Sequence, residues 1–265
     1  MSGERLRLSA CIVCMNEADN IARCIESVSF CDEVVVVDSH STDDTRRIAE
    51  DLGARVFERD WPGFGPQKEF AVAQARHDWV LCLDADEWLS SELREAIEAL
   101  GAEQPGDLAG YRMARLSWYF GEWVDYGGWY PDRQLRLYHR ERGSWGGKAP
   151  HEKVQTEQAT RLLPGDLLHR PYRSLSDHLR KIDGYTTVMA RDLHAKGKRS
   201  GLAGLLLRPL FHFLKFYLLK GGILHGVNGL LLSPLAAHYV FAKYAKLWLL
   251  QRDGEAALPP LDRRA

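Results

Sequence analysis

The chain has 265 residues, with 35 Lys+Arg against 36 Asp+Glu, a net charge of -1 and 45% hydrophobic residues, so one large domain or two smaller ones can bury a substantial core. That balance conceals an asymmetry: residues 1–192 hold 24 basic against 33 acidic side chains, whereas residues 193–265 hold 11 against 3. Met1–Leu8 carries charge but no apolar h-region, which speaks against a secretory signal and for a cytosolic chain.

Leu8–Met15 reads as a buried strand, and Asn16-Glu17-Ala18-Asp19 supplies turn and capping chemistry before a helix with Ile21, Cys24, Ile25 and Val28 at helical spacing. Glu33–Val37 contains four consecutive valines and forms the second strand, ending at Asp38-Ser39-His40-Ser41. Thr42 or Asp43 can cap the next helix, with Ile48, Ala49 and Leu52 facing inward and Gly53 closing it; Ala54–Phe57 is a third, shorter strand. Alternation of strand and helix with short joints predicts an α/β fold with a mostly parallel, Rossmann-like sheet covered by helices. The dinucleotide fingerprint Gly-x-Gly-x-x-Gly does not follow the first strand, and no P-loop lysine motif occurs, so neither NAD, FAD nor a P-loop nucleotide is expected.

The five cysteines, Cys11, Cys14, Cys24, Cys31 and Cys82, fall in apolar runs, as reduced core residues do. Cys11-x-x-Cys14 lacks the second pair that a zinc ribbon needs, and it lies in a strand rather than opening a helix. Pro66 suits the first turn of a helix running to about Arg76; Lys68 in that turn could reach a phosphate or could be an ordinary exposed lysine.

Val80–Trp88, Val-Leu-Cys-Leu-Asp-Ala-Asp-Glu-Trp, is the stretch on which the rest turns. It reads as a strand buried on both faces that ends in acid. In open α/β sheets ligands bind at the carboxyl ends of strands, and Asp84 and Asp86, two apart, can point the same way. Two convergent carboxylates suit a hard divalent cation, Mg2+ or Mn2+, whose shell is completed by substrate phosphates. The alternative is a solvated turn capping the following helix, which runs from Ser90 or Ser91 to Leu100 and leads into a surface loop over Gly101–Asp107.

From Gly110 the pattern changes to strand pieces with many rings, among them Trp118, Tyr119, Phe120, Trp123, Tyr126 and Trp129; these could line a saccharide-binding surface or form a second small core. Arg133–His139 alternates like a half-buried strand, and Leu162–Arg170 is a further apolar segment containing His169. Ser174 and Asp177 have capping-box spacing and begin a helix with Leu175, Leu179, Ile182 and Met189, which divides the chain into a region 1–172 and a helical, basic and apolar region 173–265.

Cys14-Met15-Asn16-Glu17, Val36-Val37-Asp38-Ser39 with Ser41-Thr42-Asp43, Leu83-Asp84-Ala85-Asp86-Glu87, His151-Glu152 and His169, in that order, resemble the family 2 glycosyltransferases, in particular the bacterial branch that adds sugars to the lipopolysaccharide core. The resemblance implies a GT-A fold, a nucleotide-sugar donor such as a UDP-sugar and a divalent metal. It further implies that Asn16, Glu17, Asp38 and Asp84 line the donor site, which Lys68 joins if it reaches a phosphate, and that Asp86 and His169 hold the metal, with His151 as second choice. Glu152, or alternatively Asp132, would be the general base of an inverting transfer. A sugar nucleotidyltransferase, which normally has a glycine-rich basic loop after the first strand, and an inactive scaffold are the alternatives.

Leu193–Arg252 contains no acidic residue but nine Lys and Arg, among many Leu, Phe, Tyr and Trp. Gly221–Ala242, the longest charge-free run, has 22 residues, the length of a membrane span. The polar residues and Pro234 within it favour amphipathic helices lying on the inner face of the cell membrane, against anionic lipid; a helical layer packed on protein is the third option. A lipid-linked saccharide or lipopolysaccharide core acceptor would fit such a tail, and no nucleic-acid partner is expected.

Overall fold

The computed structural model describes residues 5–101, 106–147 and 152–258. His151 and most of the expected 101–107 loop therefore lie outside the described residues. The chain divides into two compact units, one made of residues 1–118 and 131–171, the other of residues 119–130 and 172–265.

In the first unit, β1 (Leu8–Cys14) is buried at every position, and it pairs in parallel with β2 (Glu33–Asp38) on one side and β4 (Trp79–Asp84) on the other. β3 (Arg55–Glu58) extends the parallel set beyond β2. On the far side of β4 the direction reverses: β8 (Asp132–His139) is antiparallel to both β4 and β6 (Gly110–Tyr119). β11 (Thr160–His169) runs parallel to β6, and the short β5 (Glu87–Leu89) closes the edge antiparallel to β11. The order β3-β2-β1-β4-β8-β6-β11-β5 is thus a mixed GT-A sheet, parallel in its first half as expected.

Alternation along β1 assigns its two faces. Leu8, Ala10, Ile12 and Cys14 enter a core with Ile21, Cys24 and Ile25 of α1 (Ile21–Ser27) and Leu93 and Ile97 of α4 (Ser91–Glu98). Cys11 and Val13 point to the opposite core, with Ala71 and Val72 of α3 (Phe64–Ala73). Helices therefore cover both faces, and all five cysteines are free, four of them fully buried. Ser90 caps α4, its Oγ accepting from the Leu93 N–H at 3.2 Å.

Two expectations need correction. Leu52 does not face inward: it follows the last residue of α2 (Thr45–Asp51) and is 41% exposed, while Ala49 alone of the three is fully buried. Nor is β8 half-buried, because α3 and the hairpin β9 (Ser144–Gly146)–β10 (Lys153–Gln155) cover its second face. Arg136 and Tyr138 are buried there alongside Leu137 on the other side.

The second unit is helical: α5 (Leu175–Ala195), α6 (Leu202–Leu214) and α7 (Gly226–Asp253). Ser174 caps α5, its Oγ accepting from the Asp177 N–H at 3.1 Å, as the sequence spacing requires. α7 packs against both α5 and α6. Lys246 of α7 fastens the α5 contact, its Nζ donating to Asp183 Oδ1 at 2.7 Å and to Thr186 and Thr187 Oγ1 at 2.9 and 2.7 Å. Tyr119, Val124, Tyr126, Phe216 and Leu232 form a separate buried cluster, with Phe120, Trp129 and Tyr172 against it. Most of these rings are core, so the second of the two options for the aromatic stretch holds for them. The charge-free run 221–242 is not one continuous helix: a 3-10 turn occupies Gly222–His225, and α7 begins only at Gly226. The segment long and apolar enough to cross a membrane is instead Leu202–Leu219, α6 with the π turn after it.

Candidate active site

The parallel register sets the carboxyl ends of β1, β2 and β4 in one row, with Cys14 opposite Asp38 and Val13 opposite Asp84. The edge where the fold places ligands is therefore acidic, and Asn16 and Glu17 follow directly after β1. Asn16 adopts φ 55, a left-handed conformation that asparagine tolerates. Its Oδ1 accepts from Thr42 N–H at 2.8 Å, and its own N–H donates to Ser41 Oγ at 2.7 Å. Glu17 N–H donates to Thr45 Oγ1 at 2.8 Å, and the Glu17 carboxylate accepts from Asn20 Nδ2 at 2.7 Å. Asp38, completely buried, accepts from Ser41 N–H at 2.7 Å, from the Ser41 hydroxyl and from Cys14 Sγ at 3.4 Å. The loops after β1 and β2 thus hold one another, and burial next to Asp38 pushes the Cys14 thiol well above its ordinary value.

Lys68 is not the exposed helix lysine of the bland expectation. Its side chain is 7% exposed and its Nζ lies 2.6 Å from Asp84. The second cation on Asp84 is Arg136 of β8, at 3.0 Å, and the Trp145 ring covers both, 4.5 Å from Lys68 Nζ and 5.6 Å from the Arg136 guanidinium. Burial would raise the Asp84 carboxyl, but Lys68 first and then Arg136 outweigh it and hold the group well below the usual carboxylate range.

The chain of charges continues inward. Glu87, with no exposed surface, accepts from Arg136 at 2.6 Å and from Arg115 at 3.0 Å, and its other oxygen accepts from the Asp84 N–H at 3.1 Å. Arg115 then grips Asp132 with two donors at 3.0 and 2.6 Å, while Gln134 donates to the remaining Asp132 oxygen at 2.7 Å. Lys68, Asp84, Arg136, Glu87, Arg115 and Asp132 form one continuous ion network, from the sheet edge to the start of β8. Both oxygens of Asp132 accept hydrogen bonds, and the paired Arg115 favours its charged form.

Asp84 and Asp86 therefore have different partners. Asp86 lies in the turn between β4 and β5, with its Oδ2 3.6 Å from His169 Nε2 at the end of β11. The other ring nitrogen of His169 is 3.1 Å from Ser117 Oγ, which orients the imidazole toward the acid. Among the described residues no three His, Cys, Asp or Glu side chains converge on a metal position, and Asp86 and His169 stand there as a pair. Glu152, half-buried, lies against the first turn of α3: a Cβ added at Gly65 would stand 3.4 Å from its Cγ. It thus neighbours the helix that delivers Lys68 to Asp84.

Arg115, Arg136, Glu87 and Trp145 were not singled out from sequence. The one local signal was Leu135-Arg136-Leu137, a cation set into an apolar strand.

A mixed sheet with helices on both faces and an acidic carboxyl edge is the GT-A type of fold. Comparison with known proteins narrows this class: the sequence pattern of glycosyl transferase family 2 matches residues 9–160, and the chain belongs to that family. LpsC of Rhizobium meliloti (strain 1021), a lipopolysaccharide core biosynthesis glycosyltransferase, is 33% identical over 270 residues, covering 97% of each chain. An uncharacterized glycosyltransferase of Rickettsia typhi is 33% identical over 252 residues, 91% of this chain and 86% of its own. Of solved structures, the mannosyltransferase PcManGT of Pyrobaculum calidifontis, in complex with GDP-Man and Mn2+, matches 96% of this chain and 90% of that one with a TM-score of 0.51 at 16% identity, a likeness of fold.

Proposed function

We propose that this glycosyltransferase moves a hexose from a UDP-sugar, with inversion at the anomeric carbon, to a lipopolysaccharide core or similar lipid-linked saccharide at the cytosolic face of the membrane. The observation that carries the proposal is the pairing of Asp86 with the oriented imidazole of His169 at the same edge as the Lys68–Asp84 ion pair. One carboxylate and one neutral imidazole fit a divalent ion that keeps positions for substrate phosphates. Such an ion, when bound, would neutralise charge developing on the departing diphosphate.

The remaining work falls to side chains of this chain. Asp38, held by Ser41, serves the nucleoside end of the site, and Asn16, bonded to the same Ser41, lines it together with Glu17. Lys68 and Arg136 fix the Asp84 carboxylate in its charged form, so that it can accept hydrogen bonds from donor hydroxyls. Glu152 takes the proton from the acceptor hydroxyl as that oxygen attacks; among the described residues no clamp like the one on Asp132 holds it, which favours it for this role. The acceptor class is supported by the full-length similarity to LpsC, and the membrane face by the exposed apolar surface of α6, none of whose residues is buried.

The test supplies labelled UDP-glucose, UDP-galactose and GDP-mannose, with and without Mn2+, and a truncated lipopolysaccharide acceptor. Metal-dependent transfer from a UDP-hexose giving the inverted anomer is expected. A retained configuration, or full activity in the presence of EDTA, would overturn the corresponding part of the proposal.

A further inference from the structure

α6 and α7 diverge enough to leave an open groove of ≈ 340 Å³, in which Pro209, Leu210 and Phe213 of α6 face Pro234, Ala237 and Phe241 of α7. Its volume lies at the low end for small-ligand sites, and its walls are almost wholly apolar. Both helices carry a proline at the groove, where the missing N–H and the ring against the preceding turn hold the helix surfaces apart.

One end of this groove is cationic. Arg208 precedes Pro209, and its guanidinium lies 4.2 Å from the centroid of the Tyr244 ring. Lys243 approaches the same ring from α7, with Nζ at 5.2 Å, and Tyr244 stands one helical turn beyond Phe241. Two like charges thus share a single aromatic ring. Neither makes an ion pair among the described residues, and no acidic residue occurs from Leu193 to Arg252 to neutralise them. Burial, and then Arg208, push the Lys243 ammonium below its ordinary value, as happens when a cation lacks its counter-charge. An open, apolar groove with two cations next to its lining is complementary to an amphiphile with an anionic head.

We propose that the α6–α7 groove is a discrete anionic-phospholipid site, in which Arg208 and Lys243 bind the headgroup phosphate and the trough between Pro209 and Pro234 receives an acyl chain. The assignment rests on the membrane location proposed above but goes beyond it. General apolar adsorption through α6 would not distinguish headgroups, whereas a two-cation mouth selects anionic ones. It would also fix the rotation of the α6–α7 pair at the bilayer.

The test is flotation of the full-length chain with vesicles of phosphatidylcholine alone or containing phosphatidylglycerol. The wild type is expected to prefer the anionic vesicles by roughly tenfold or more. Arg208→Gln/Lys243→Gln should lose this preference while still binding neutral vesicles. Lys198→Gln/Arg199→Gln, which removes the same charge away from the groove, should keep it. Lys198, Arg199 and Arg208 are exposed and Lys243 is half-buried, and circular dichroism verifies folding. Equal loss in the two double variants, or equal wild-type binding to both vesicles, would overturn the site yet leave membrane association standing. Failure of the wild type to bind either vesicle would overturn membrane association itself. Displacement by inorganic phosphate at constant ionic strength would assign the cations to a soluble anion and so refute the lipid.

Discussion

Arg136→Met removes the guanidinium at the centre of the ion network while preserving much of its volume. Arg136 is 3% exposed and serves two carboxylates, Asp84 at 3.0 Å and Glu87 at 2.6 Å. Removing one partner from a buried ion pair costs about 3–5 kcal/mol. Here Lys68 stays 2.6 Å from Asp84 and Arg115 stays 3.0 Å from Glu87, so each acid keeps one cation. The cost therefore belongs at the lower end, about 3 kcal/mol, equivalent to a fall in Tm of roughly 6–12 °C for a unit of this size. Thermal unfolding followed by circular dichroism at neutral pH measures it. Adding Glu87→Gln to Arg136→Met removes one of the stranded charges, and the double variant should be less destabilised than the sum of the single ones by about 1–3 kcal/mol. The acid limb should respond as well. Because the folded-state value of Asp84 is depressed, its contribution is present above the ordinary carboxylate range and is lost as pH falls through the folded value; without Arg136 that loss should be smaller and be complete at higher pH. A Tm within about 2 °C of wild type, or simple additivity with Glu87→Gln, would refute the network as a structural unit.

Other outcomes are equally specific. Asp86→Ala should abolish transfer with little change in Tm, whereas Glu152→Gln should lower kcat by roughly 100-fold or more with donor KM nearly unchanged; weakened donor binding in Glu152→Gln would move that residue to the donor site. Gly165 has φ 81, and a side chain there would overlap the backbone of Leu93 at the start of α4, so Gly165→Ala should cost about 2–4 kcal/mol, read by urea unfolding, and a loss below about 1 kcal/mol would contradict the packing. Burial pushes His178 down to about 4 from its ordinary 6.5, so the unfolded chain takes up a proton first as pH falls. Stability should consequently decrease between these two values, and His178→Phe should flatten that slope.

The parts of the fold legible in sequence were those whose signal is local. β1, β2 and β4 are uninterrupted apolar runs because both faces are covered, and the caps at Ser90 and Ser174 follow from spacing. β5, β9 and β10 have three residues each, too few for any period, and exist through their pairing partners. The break between α6 and α7 falls at Gly221, in a left-handed conformation, within a run that hydropathy alone reads as continuous.

At the site, the acids ending strands could be found from their positions. Their partners could not. Lys68 lies 16 residues before Asp84 in the chain and Arg136 lies 52 after it, and only the sheet order β1-β4-β8 with α3 laid across it joins them. The leucines on either side of Arg136 mark it off from Arg133, which is exposed on the same strand, but they say nothing of which acids it meets. The consequence for the proposed chemistry is that Asp84 is matched by protein cations, so the proposal assigns the metal to Asp86 and His169.

Titration calorimetry of UDP-glucose into the wild type and the Asp86→Ala and His169→Ala variants, each with and without Mn2+, addresses the central claim most directly. Binding should require Mn2+ in the wild type and be lost in Asp86→Ala, with His169→Ala weakened roughly 10–100-fold. Metal-independent binding of equal strength in all three proteins would contradict it.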